Sequence, residues 1–141
     1  MSKAKTSVVV PGPREEVFRL FADRENYGAL VPPVGCTLLE PGTAERQGTG
    51  AVHKVGIGPV GMKERITALE PGRSFTYQAV SGLPVRHWIG TVEFHDDPKG
   101  TRVDYSLDVE ARVPVPAAVL AVVVKGLAGG LARGASKQLR K

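Results

Sequence analysis

The stretch Gly61-Met-Lys-Glu-Arg-Ile-Thr-Ala-Leu-Glu-Pro-Gly-Arg-Ser-Phe-Thr-Tyr77, followed by Gly82-Leu-Pro-Val85 and Gly90-Thr-Val-Glu-Phe94, reads as consecutive antiparallel strands with turns written between them. Apolar and polar residues alternate through it with the period of a half-buried strand. Pro71-Gly72 places φ near −65° and then a positive φ, as a type II turn requires. The same Leu-Glu-Pro-Gly occurs at 39–42, for the same turn chemistry and not as a domain repeat. Gly58-Pro59, Ser81-Gly82 and Asp97-Pro98-Lys99-Gly100 punctuate the chain in the same manner.

Working outward, the pattern predicts seven antiparallel strands at about 5–10, 35–41, 49–57, 60–69, 73–80, 84–95 and 101–111. After the first strand, Pro11-Gly12-Pro13 opens a helix, since proline at the first helical position gives up no needed hydrogen bond. Val17, Phe18, Leu20 and Phe21 form its apolar stripe, and Arg14, Glu15, Glu16 and Arg19 its wet side. A short second helix is expected from Arg24 to Leu30, stopped by Pro32-Pro33. The segment from Pro114 to Leu139 carries eight large aliphatic residues from Val115 to Leu131 and is long enough for roughly six helical turns. Lys125 and Arg133 interrupt it, so no run of ~20 uncharged apolar residues exists and no integral membrane span is expected. Gly126, Gly130 and Gly134 are predicted to share one face, where the sheet, a ligand or the helix of a second copy approaches closely; a homodimer seam is one reading of that strip.

The order strand, two helices, six strands and long helix resembles the START-like (SRPBCC) superfamily in its polyketide cyclase/dehydrase branch, with the Bet v 1-type helix-grip fold. The residues that carry the resemblance are Val10-Pro-Gly-Pro-Arg-Glu-Glu-Val-Phe18 with Phe21-Ala-Asp23 and Tyr27, Gly48-Thr-Gly50, Lys63-Glu-Arg-Ile-Thr67, Tyr77, Gly82-Leu-Pro84 and Gly100-Thr-Arg-Val103. They span nearly the whole chain and mark turns and packing sites more than a catalytic constellation. The resemblance implies an α+β domain over residues 1–141, with a seven-stranded sheet curled around the C-terminal helix. It also implies a cavity that different members use to bind lipids, hormones or polyketides and, in some, to cyclise them. Fold alone does not decide between these uses.

Strand alternation assigns the inner face. With Ile66 and Ala68 inward, Met62 and Glu64 follow; Phe75, Tyr77 and Ala79 share a face; Val92 and Phe94 carry Gly90, Trp88 and Arg86 with them; Tyr105 accompanies Val103 and Leu107; and Ala51, His53, Val55 and Ile57 form the favoured set on their strand. A buried Glu64 near Arg86 or His53 supplies the acid and base that enolisation and loss of water require, so these three are the candidate catalytic residues. Tyr77, Trp88, Tyr105, Met62 and Phe75 are the candidate ligand-binding residues. The competing reading makes Glu64 and Arg86 a structural pair and the tyrosines core residues with hydroxyls at the rim. Function then divides between a polyketide cyclase/aromatase-like enzyme and a non-catalytic carrier or sensor of hydrophobic ligands.

Composition narrows the rest. A chain of 141 residues buries roughly two thirds of its unfolded surface and folds as one domain without staples. One cysteine, Cys36, and a start lacking a long apolar segment lead to the expectation of a cytoplasmic protein. The net charge of +5 is spread out, apart from cations in the last helical turns that suit the helix dipole, so no nucleic-acid partner is expected. No phosphate loop, nucleophile elbow, dinucleotide fingerprint or paired-cysteine motif is present, and no cofactor is expected. His87 and His95 would lie roughly 26 Å apart along one strand, so no metal is expected from that pair.

Overall fold

The computed structural model describes residues 2–27, 34–57, 60–82, 85–111 and 117–139. Strands β1 (Ser2–Val10), β2 (Gly35–Glu40), β3 (Val52–Ile57), β4 (Val60–Glu70), β5 (Ser74–Ser81), β6 (Val85–Asp97) and β7 (Gly100–Ala111) form one antiparallel sheet in the order β1-β7-β6-β5-β4-β3-β2. Every neighbour after β1 is also a neighbour in sequence. β1 closes the far edge by pairing with β7 from Ser2↔Val109 to Val10↔Thr101.

Helix α1 (Arg14–Ala22) follows β1 and buries Val17, Phe18, Leu20 and Phe21, the stripe its periodicity predicts. Phe18 meets Phe94 edge-on at 5.2 Å, and Phe21 meets the same ring at 5.5 Å, so α1 is locked to the sheet by aromatic packing. Of the expected second helix, Arg24–Asn26 forms a 3-10 turn; its continuation from residue 28 lies outside the described residues. Helix α2 (Ala117–Leu139) buries Val124, Ala128, Leu131 and Ala135, one stripe at helical spacing, chiefly against β1 with β7 beyond it. This is the helix-grip architecture the sequence predicts.

Several local expectations are corrected. Gly72 does take a positive φ of 76°, but Gly42 does not. The second Leu-Glu-Pro-Gly leads instead into a loop folded on itself, with Gly42 N–H donating to the Arg46 carbonyl (3.1 Å) and Thr43 N–H to that of Thr49 (3.0 Å). Residues 49–51 belong to that loop, and β3 starts at Val52. A bulge between Ile66 and Ala68 reverses the alternation, so Ala68 is exposed and Leu69 packs on the core. Ile57, at the end of its strand, is exposed. The glycine strip of α2 is divided: Gly130 and Gly134 are buried within the fold, whereas Gly126 is exposed.

Candidate functional site

Between the concave face and α2 lies a cavity of about 60 Å³. Met62 and Glu64 from β4, Tyr77 from β5, Trp88 from β6 and Tyr105 from β7 form its sheet wall; Val34 and Val55 close one side; Leu127 and Leu131 of α2 form the roof. Arg24 and Tyr27 enter from the turn behind α1. Four of the five candidate ligand residues therefore share one cavity, together with Glu64. Phe75 is buried instead in the aromatic cluster with Phe18 and Phe94, outside the lining.

Glu64 is paired, but with Arg24 rather than Arg86. Arg24 Nη2 donates to Glu64 Oε1 in a buried ion pair whose side chains are only 3% and 4% exposed. Burial penalises the guanidinium, but Glu64 foremost, with Tyr27, Tyr77 and Cys36, outweighs that penalty and holds its pKa well above the ordinary value. The guanidinium also lies 4.6 Å from the Tyr77 ring centroid and 5.5 Å from that of Tyr27, so aromatic faces supply part of its solvation.

Arg86 lies on the other side of the sheet. Between Val85 and His87 the register with β7 shifts, and the extra residue at this bulge breaks the alternation that would have turned Arg86 inward. Its side chain is 70% exposed and faces Glu110 at 3.7 Å. His87 lies beside Asp108 (3.3 Å) and Glu110 (3.5 Å).

His53 is fully buried and faces inward, yet it is not among the residues lining the cavity. Its Nε2 lies 3.1 Å from Gln47 Oε1, an acceptor, so Nε2 carries the proton of the neutral ring and donates. Burial, reinforced by Arg24 and opposed by Glu25, pushes its pKa down to about 4. Gln47 is itself tied to the turn after α1, accepting from Glu25 N–H (2.9 Å) and donating to Asp23 Oδ1 (2.8 Å). His53 thus anchors that turn to β3, the turn that delivers Arg24.

The tyrosines are hydrogen-bonded to protein. Tyr77 and Tyr105 share a hydroxyl–hydroxyl bond, and Tyr27 donates to the Phe21 carbonyl at 2.7 Å. Burial raises all three phenol pKa values, that of Tyr27 to about 12, and keeps the hydroxyls neutral. Cys36, pushed up to about 11 by burial, is held as an unreactive thiol.

The functional residue that sequence reasoning missed is Arg24. It reads in the sequence only as the start of a short second helix, and only sheet residues were considered as partners for Glu64. Two signals pointed to it: a buried carboxylate must have a partner, and the apolar period of α1 breaks at Asp23, directing the chain back under the sheet.

A wider hollow of about 510 Å³ lies on the outer face among Lys5, Ser7, Glu93, Arg102 and Asp104. Its Asp104 already accepts from Ser7 Oγ (2.7 Å) and Arg102 Nε (3.2 Å) and lies 3.3 Å from His95. Glu93, His95 and Asp104 have ligand-type atoms within 4.8 Å of one another, so His95 keeps company with carboxylates and not with His87. The inner cavity, walled by rings and aliphatic side chains around one ion pair, is the candidate ligand site. Among the described residues, no helix is long and apolar enough to cross a membrane.

Solved structures share this architecture. A START superfamily protein from Mycobacterium smegmatis superposes with a TM-score of 0.79 at 16% identity, covering 99% of this chain and 98% of its own. Ara h 8.0201 gives 0.78 at 16% identity, with 99% and 98% covered. The Zhui aromatase/cyclase from Streptomyces sp. R1128 gives 0.75 at 19%, with 98% and 93% covered. At such identities the likeness is one of fold. A search of curated proteins found no match. The family model described as polyketide cyclase/dehydrase and lipid transport matches residues 1–141. With its sheet gripping α2 in the fold of those structures, the chain belongs to that family.

Proposed function

We propose that this domain binds a hydrophobic small molecule, aromatic, polyketide-like or lipid-like, with one end inserted between the sheet and α2. The observation that carries the reading is the cavity itself: a wall of rings and aliphatic side chains around a single neutral ion pair. Family membership supports it, since lipid transport and polyketide chemistry both need such a chamber. At about 60 Å³ the space is far below the ~300–1,000 Å³ usual for a whole drug-sized ligand, so the site grips one end of its ligand or widens on binding.

Binding is favoured over cyclisation by the state of the polar groups. Glu64 is held by Arg24, His53 is directed to Gln47 away from the cavity, and Arg86 is outside. A base that is already paired, and an imidazole of lowered basicity, are poorly set for proton abstraction. The non-catalytic carrier or sensor is therefore the preferred reading, with Tyr77, Trp88, Tyr105 and Met62 as contact residues. An enzyme reading demands that Glu64→Gln abolish turnover while leaving affinity intact.

Native mass spectrometry of freshly purified protein is the direct test, and a retained apolar compound is the expected result. Trp88 is the sole tryptophan, so its emission reports occupancy of this cavity. Absence of any retained compound, with Trp88 emission unmoved by fatty-acyl and polycyclic aromatic probes, would discard the proposal.

A further inference from the structure

The hydrogen-bonding groups left unmet around the cavity are of one kind. Arg24 Nε and Nη1 and Trp88 Nε1 are buried and have no acceptor among the described residues, and both side chains line the cavity. All three atoms are donors only. Of the neighbouring hydroxyls, Tyr77 and Tyr105 are bonded to each other, and Tyr27, which gives its proton to the Phe21 carbonyl, interacts with the Arg24 side chain without meeting Nε or Nη1. Burying such donors without a partner is costly, and the cost is recovered when an acceptor arrives.

Charge then selects among acceptors. Arg24 and Glu64 sum to zero, and no other acidic or basic side chain among the described residues lines the cavity. A carboxylate or phosphate would bring an uncompensated charge into this buried space, a penalty larger than the hydrogen bonds it would gain. A neutral carbonyl accepts the same hydrogen bonds without it.

Resting on the reading of the cavity as a ligand site, the geometry points to a ligand whose inserted end is a neutral carbonyl oxygen, as in a ketone, quinone or ester, received by Arg24 and the indole N–H of Trp88. The carbonyl group suits the small volume, and the hydrophobic remainder extends along Leu127 and Leu131 of α2.

Three probes of one shape separate the possibilities: acetophenone, benzoate and ethylbenzene, titrated into the full chain at pH 7 and followed by protein NMR shifts. Acetophenone is expected to bind about 5–10-fold more tightly than ethylbenzene, and benzoate no better than ethylbenzene. Trp88→Phe keeps an aromatic ring and removes the N–H; whatever it does to the affinity for both probes, it is expected to reduce the ratio of acetophenone to ethylbenzene affinity severalfold, and an unchanged ratio overturns the role of the indole N–H. Thermal unfolding confirms that the variant folds, and Trp88→Tyr repeats the test if it does not. Equal affinity for acetophenone and ethylbenzene overturns the carbonyl assignment but leaves a hydrophobic pocket. Tighter binding of benzoate overturns neutrality. Failure of all three probes to bind overturns the ligand-site reading and this inference with it.

Discussion

At the scale of single residues, the buried Arg24–Glu64 pair is what the site most depends on. Removing one member leaves the other charge buried and uncompensated. Arg24→Met is expected to cost about 3–5 kcal/mol in urea unfolding, and the double variant Arg24→Met/Glu64→Leu to recover most of that loss. A single-variant cost below ~1 kcal/mol would show that the pair opens to water. His53 gives a separate signature. Its folded pKa of about 4 lies below its ordinary 6.5, so below pH 6.5 the unfolded chain takes up a proton that the native chain refuses. Stability is therefore full above pH ~6.5 and falls as pH drops toward ~4, by roughly 2–3 kcal/mol from this group. Denaturation midpoints of wild type and His53→Gln between pH 7 and 4 check the point: the variant's slope should be flatter, and equal slopes would contradict it.

At the scale of elements, two glycines in different settings make opposite expectations. Gly90 on β6 pairs directly with Tyr77 on β5, and a Cβ there would sit 2.1 Å from the Tyr77 ring. Gly90→Ala must displace that ring from Tyr105 and Arg24, at about 1–3 kcal/mol or more. Gly126 in α2 is exposed, and no described atom lies within 4 Å of a Cβ placed there. Gly126→Ala should therefore stabilise by about 0.5–1 kcal/mol through helix propensity alone. Thermal melts of the two variants should shift in opposite directions; a fall for Gly126→Ala would mean that this face packs against something. Strand faces were legible from alternation along much of the sheet, as Met62, Glu64 and Ile66 show, though not at the two ends of β3, where Val52 is buried and Ile57 exposed. They failed where a bulge inserted a residue, at Ala68 and Arg86, because a bulge depends on how two strands pair and not on either strand's own pattern.

At the scale of the whole molecule, α2 is both lid and core. Leu131 is buried at 2% exposure and also roofs the cavity. Leu131→Ala is expected to cost about 2–5 kcal/mol and to enlarge the chamber. Acetophenone at a saturating concentration should return part of the lost stability by mass action, read as a larger ligand-induced rise in Tm than wild type shows. An identical rise in both would separate the roof from the binding site. The same geometry bears on association. Gly130 and Gly134, offered by the sequence as a seam for a second copy, are already covered within the protomer.

Local chemistry written in the sequence was enough to determine the order of elements, the turns at Gly72, Gly82 and Gly100, the apolar stripe of α1 and the inward set around Glu64 and Tyr77, because each depends on residues a few positions apart. Tertiary structure alone decided that Arg24 and not Arg86 neutralises Glu64, that His53 turns to Gln47, and how small the enclosed space is. The Arg24–Glu64 contact spans 40 positions, and Gln47, though only 6 from His53, is itself held by Glu25 and Asp23, 22 and 24 positions away, so both outcomes are set by bulges and by the approach of the post-α1 turn to the sheet. A buried charge takes the partner that three-dimensional packing brings within reach, and no periodicity along one strand encodes which partner that is.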